Sequence, residues 1–169
     1  TSLRDALVAA GLDAGLDRVG VAEVEPFEDV RREMDRRLAT GLTGRLRFTY
    51  KDTALATDVS RSFPWARRLV VGLRAYLPDA GTAIPQAGRA RVARFAVDDA
   101  YVPLRAGLVA IAEALEQRGN RAEILIDDDR LVDRAAAVRA GVVWWGKSTM
   151  AITPGLGPWF LIGSVVTDT

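Results

Sequence analysis

Apolar residues recur along the chain with two alternating periods, one suited to helices and one to strands. Ser2 followed by Asp5 has the spacing of a capping box, and Leu3, Leu7 and Ala10 then share one helical face, which predicts a short amphipathic helix. Gly15 and Asp17 precede a small-residue apolar run, Val19, Gly20, Val21 and Ala22, that reads as a first buried strand. Pro26 suits a first helical turn, so a second helix is expected there, burying Phe27, Val30, Met34 and Leu38 and stopping at Gly41. Residues 42–67 hold Gly44 and a basic and aromatic cluster of Arg45, Arg47, Phe48, Tyr50 and Lys51, the pattern of a loop with short helices.

Residues 69–77 read as a central strand, and residues 78–88, rich in Pro, Gly and Ala, as a loop able to act as a lid. Leu104, Leu108, Ile111 and Leu115 follow the three-and-four spacing of a long helix over residues 99–118, closed by Gly119 and Asn120. A strand over 122–127, a helix over 130–140 and a final strand over 159–166 complete the pattern. This order predicts an α/β (α+β) sandwich, a mixed central sheet flanked by helices, with residues 1–169 as a single domain.

Composition narrows the chemistry more than the fold. The 23 Lys plus Arg against 22 Asp plus Glu leave a net charge of +1, so nucleic acid could be held only through a local patch. The chain has no cysteine, which removes thiolate nucleophiles, cysteine-bound zinc and iron–sulfur ligation. It also has no histidine, which removes a Ser-His-Asp triad and an imidazole ligand to a metal, haem or cobalt. No apolar run reaches the roughly 18 residues of a membrane span, and a secretion-signal layout is missing from the start, so the cytoplasm is the expected location; a monomer is expected as well.

Residues 141–148, Gly-Val-Val-Trp-Trp-Gly-Lys-Ser, fit the phosphate-loop pattern G-x-x-x-x-G-K-S/T letter for letter. Such a loop needs a strand entering, small residues curling around phosphate, and a helix leaving with its N-terminus aimed at the ligand. Here a helix enters, two tryptophans fill the cradle, and Pro154 and Gly155 cut short any helix beyond. A nucleotide binder is therefore kept only as an alternative.

The blocks Ile126-Asp127-Asp128-Asp129-Arg130-Leu131-Val132-Asp133-Arg134 and Arg139-Ala140-Gly141-Val142-Val143-Trp144-Trp145-Gly146-Lys147-Ser148-Thr149 resemble the central signature of the epoxyqueuosine reductases. In that family a strand ends in Val-Asp-Ser/Thr, a helix carries Leu-Glu-Arg, and Ala-Gly-Leu-Gly-Trp-x-Gly-Lys follows. Weaker collinear matches include Phe63 to Arg67, Ala93-Arg94-Phe95-Ala96, Tyr101, and Trp159 to Gly163. Departures fall at Asp129-Arg130, Val102, Ser164 and Thr43, where the family has Ala-Pro, histidine, glutamate and histidine; they bear on the substrate.

The resemblance implies a cobalamin-binding domain, the amino-terminal part of a longer oxidoreductase whose remaining domain holds two [4Fe-4S] clusters. The reaction it implies is reduction of epoxyqueuosine to queuosine in the tRNA anticodon. Asp127 would be the proton donor, a carboxyl kept protonated by an apolar wall that the two tryptophans could furnish. Asp129 would cap the following helix. Lys51, Arg94, Tyr101, Trp144, Gly146, Lys147, Ser148, Thr149 and Ala151 would contact the corrinoid, with one of Trp144 and Trp145 buried and the other against the cofactor. A stand-alone corrinoid-binding or trafficking module is the other alternative.

Overall fold

Ser2 and Asp5 do form a reciprocal capping box, each side chain accepting from the other's backbone N–H, and this starts α1 (Leu3–Asp13). The computed structural model describes residues 2–45, 47–76, 88, 90 and 92–169, and of Arg94 the backbone only. After α1 come β1 (Arg18–Glu23), α2 (Glu28–Ala39), α3 (Thr53–Ala56) and β2 (Arg68–Ala75). Then follow α4 (Tyr101–Glu116), β3 (Ala122–Leu125), α5 (Asp133–Arg139), β4 (Trp144–Trp145), β5 (Ala151–Ile152) and β6 (Phe160–Thr167). The expected lid falls almost wholly on residues 77–87, outside the described residues.

The main sheet has the order β1-β2-β6-β3. Every pairing in it is antiparallel, so the sandwich is as expected while the sheet is not of mixed direction. Successive β2 residues face opposite layers, as the pleat requires. Val70 joins Val165, Leu7, Leu104, Leu108, Ile111 and Leu115 beneath α1 and α4. Leu69, Val71 and Leu73 join Leu125, Leu131, Ala136 and Val166 on the α5 side. Covered on both faces, β2 is apolar along nearly its whole length rather than alternating.

Three local expectations are corrected. Leu38 is 41% exposed, because the apolar face of α2 is covered through Phe27, Val30 and Met34 and its last turn lies beyond them. The strand over 122–127 stops at Leu125. The helix expected from residue 130 begins at Asp133, with Val132 at its N-cap, so Asp129 is not a cap. Arg130 is the reason: its backbone N–H donates to Asp128 Oδ1 (2.9 Å) and its guanidinium grips both carboxylate oxygens (2.8 and 2.6 Å), holding residues 128–130 in a turn. Among the described residues, no helix is long and apolar enough to cross a membrane.

Candidate functional site

The turn after β3 gathers three consecutive acids, Asp127, Asp128 and Asp129. Asp127 has φ +48°, a left-handed conformation that Asp adopts more readily than most side chains and that tends to mark functional sites. It is held from across the layer: Tyr101, the first residue of α4, donates its hydroxyl proton to Asp127 Oδ2. That hydrogen bond, then burial, then the charges of Asp127, Asp133 and Asp99 push the Tyr101 phenol up to about 12, so at neutral pH it stays protonated and donates. Asp128 behaves differently, since Arg130 beside it holds its carboxyl below the usual carboxylate range.

Among the described residues, Asp133, which periodicity does not single out, is the acid pushed furthest from its ordinary value. It opens α5 between Leu131 and Ala135, both buried. Part of the residue reaches the surface, but its Oδ1 is sealed from solvent and has no hydrogen-bond partner. Burial, and then the charges of Asp127 and Asp128, push the carboxyl up to about 8. A carboxylate within an apolar stretch was the available signal, and the family's Leu-Glu-Arg had placed one there.

This acid makes stability depend on pH with a definite sign. The unfolded chain releases the Asp133 proton near 3.8 while the folded chain keeps it to about 8, so folding is favoured most below the first value and loses that support as pH rises towards the second. With part of the residue at the surface, about 2 kcal/mol is expected. Asp133→Asn should therefore be more stable than the parent at about pH 8 and lose that advantage near about pH 4. Urea unfolding at both pH values checks this, and an unchanged difference would refute it.

A second cluster sits on the hairpin of β4 and β5, where Trp144 pairs with Ile152 and Trp145 with Ala151. The hairpin is closed by Gly146 N–H donating to the Met150 carbonyl (2.8 Å) and Thr149 N–H to the Gly146 carbonyl (3.0 Å). At Gly146 an added Cβ would lie 2.5 Å from Ile152 Cδ1, the movable end of that side chain, and 3.1 Å from the Met150 carbonyl oxygen. Lys147, Ser148 and Thr149 form the exposed tip, and Arg134 of α5 donates to the Thr149 carbonyl (3.1 Å). With these two amides spent inside the turn and a strand following, the loop is no phosphate cradle, which removes the nucleotide alternative.

Both tryptophans are about half exposed, Trp144 at 48% and Trp145 at 47%, so neither is buried as one was expected to be. The pair packs on α5 through Ala151, which is buried, and leaves both indole rings at the surface. Trp145 lines a shallow groove of about 480 Å³ with Phe27, Val30, Ala135 and Val138, and Trp144, its neighbour along the strand, points to the opposite face. The side chain that hydrogen-bonds Asp127 is Tyr101.

The structure thus brings Tyr101 to Asp127 and gathers Trp144, Gly146, Lys147, Ser148, Thr149 and Ala151 into one hairpin, with Ala151 buried. Lys51 lies exposed in the loop before α3, its N–H bonded to the Phe48 carbonyl (3.0 Å). Arg94 lies in a short 3-10 turn ahead of α4, its side chain outside the described residues.

The fold is shared with solved structures. A reductive dehalogenase whose structure suggests a B12-dependent mechanism matches with a TM-score of 0.58 at 17% identity, over 96% of this chain and 18% of that one. A selenomethionine-labelled epoxyqueuosine reductase matches with a TM-score of 0.87 at 24% identity, over 98% of this chain and 45% of that one. An epoxyqueuosine reductase with a tRNA-Tyr stem loop reaches 0.82 at 24% identity, over 98% and 45%.

In sequence, the epoxyqueuosine reductase of Staphylococcus aureus is 28% identical over 172 residues, covering 98% of this chain and 45% of the relative. That of Xanthomonas campestris is 30% identical over 165 residues, covering 92% and 46%. No family model matches the chain. By sequence and by fold, the chain is a homologue of the epoxyqueuosine reductases, and it spans about half the length of the curated relatives it matches.

Proposed function

We propose that the chain is the cobalamin-binding domain of an epoxyqueuosine reductase-like oxidoreductase, with residues 1–169 acting as one unit. The observation that carries this reading is the Tyr101–Asp127 pair, a carboxyl fixed at the end of β3 by a phenol that keeps its own proton. Asp127 is the general acid that protonates the epoxide oxygen as its C–O bond breaks. Tyr101 orients it.

The hairpin residues suit a corrinoid by their chemistry. Trp144 and Met150, 48% and 44% exposed, offer apolar surface to a flat macrocycle, and the Lys147, Ser148 and Thr149 side chains offer donors to its amides. Lys51 and Arg94 are further contacts in this reading. When bound, cobalamin supplies electrons to the substrate, and with no cysteine in the chain those electrons come from [4Fe-4S] clusters held elsewhere. The partner in this reading is a tRNA anticodon loop, which sets the reaction in the cytoplasm.

Mixing the chain with hydroxocobalamin and recording the visible spectrum after gel filtration tests the reading. Corrinoid is expected to travel with protein, and Lys147→Ala should weaken binding by about 1 to 2 kcal/mol, roughly ten-fold, through one lost charged hydrogen bond. Absence of comigration would sink it.

A further inference from the structure

We propose that Tyr76, Phe95 and Trp159 form a stacking platform for an unpaired RNA base, the nucleotide beside the one that reaches Asp127. The proposal rests on a tRNA anticodon loop as the partner, and it starts from three rings that neither the core nor the cofactor reading uses.

The sheet places these rings on the rim that holds Asp127. Both β2 and β3 run antiparallel to β6, so the ends of β2 and β3 and the start of β6 share one edge. Tyr76 follows β2, Trp159 precedes β6, and Asp127 lies just beyond β3. The Tyr76 N–H donates to the Trp159 carbonyl (3.1 Å), which ties the two backbones together there. Phe95 comes from the 3-10 turn before α4, and Tyr101, the first residue of α4, holds Asp127. Two strand spacings, about 10 Å, separate the ends of β2 and β3, leaving room for a nucleotide beside the one at Asp127.

The Tyr76 ring meets Trp159 at 6.2 Å and 85° and Phe95 at 6.5 Å and 75°, both edge to face. Such a contact covers a face of only one ring of the pair, so three rings joined by two of them keep faces open. Phe95 is 54% exposed, Trp159 is exposed as well, and Val92 and Val97 on either side of Phe95 are more exposed still. Apolar side chains grouped in this way at a surface mark a binding site. In sequence, residues 88–97 carry Arg89, Arg91 and Arg94 and no acid, in a chain whose net charge is only +1. Aromatic faces beside a run of arginines suit single-stranded RNA, with bases on the rings and phosphates on the cations.

Fluorescence anisotropy of a labelled anticodon stem-loop RNA, with the paired stem alone as a second probe, tests the platform without any cofactor. The stem offers phosphates but no unpaired base. The chain is expected to bind the stem-loop more tightly than the stem. Phe95→Leu should weaken stem-loop binding by about ten-fold, the worth of one stacked base, while Phe95→Tyr keeps the ring and the affinity. Phe95 is exposed, so both changes spare the fold. Equal or absent binding of the two RNAs, or parental stem-loop affinity in Phe95→Leu, would overturn the proposal. If that variant keeps RNA but loses hydroxocobalamin on gel filtration, the ring serves the corrinoid's own base instead. Ring-dependent stem-loop binding by a chain that fails to carry hydroxocobalamin would uphold the platform and reject the corrinoid reading.

Discussion

Asp127→Asn, placed in a protein that joins this chain to electron-delivering clusters, is expected to lower epoxide reduction by about 10²- to 10⁴-fold, the usual contribution of a positioned general acid. The substitution is nearly isosteric. Its amide oxygen can still accept from Tyr101, as the carboxylate does, and Asn is among the residues that best tolerate φ +48°. What it lacks is an acidic proton. Corrinoid retention on gel filtration should be unchanged, because the hairpin of β4 and β5 is untouched. Full turnover in this variant would remove Asp127 from the mechanism.

Gly20→Ala is expected to destabilise the fold by about 3 kcal/mol, the upper part of the range for overpacking a close-packed site. Gly20 sits in β1 opposite Val71, and an added Cβ would meet the Ala140 carbonyl oxygen at 2.5 Å and Val142 Cγ1 at 2.7 Å. A side chain could rotate away, but the Ala140 oxygen is backbone, at the C-cap of α5, where the Ala140 N–H is bonded to the Ala136 carbonyl (2.9 Å). Gly141→Ala makes the natural comparison: its Cβ would enter open space, and its cost comes only from φ +73°, about 1 kcal/mol. Urea unfolding followed by tryptophan fluorescence separates the two. Equal losses would mean that β1 and α5 are not in hard contact.

Much of the fold was legible because its signals are local. The capping box at Ser2, the spacing of Leu104, Leu108, Ile111 and Leu115, and the apolar run of β2 each specify an element without reference to distant residues. The start of α5 was not legible, because the Arg130–Asp128 grip that delays it depends on side-chain geometry rather than on periodicity. Nor was the hairpin, whose strands of two residues are too short to show a period. Asp127 could be singled out by resemblance, whereas its contact with Tyr101 joins residues 26 apart and needs the folded sheet to appear. Asp133 was easy to pass over for the opposite reason: an acid in a first helical turn is ordinary on electrostatic grounds, so its place in an apolar stretch was a weak signal and its sealed, unpartnered oxygen shows only in the fold.

The helix α5 has only seven residues, too few to persist outside a folded context. Its first residue is Asp133, its second ties down the hairpin tip through the Thr149 carbonyl, and its last, Arg139, lies over the Phe27 ring 3.6 Å from the centroid. The Asp133 carboxyl and the hairpin tip that the proposed function uses therefore share one short rod. Any fluctuation that frays it disturbs both together, so the exchange rates of a few backbone amides in α5 would serve as a single gauge of how intact the whole working face is.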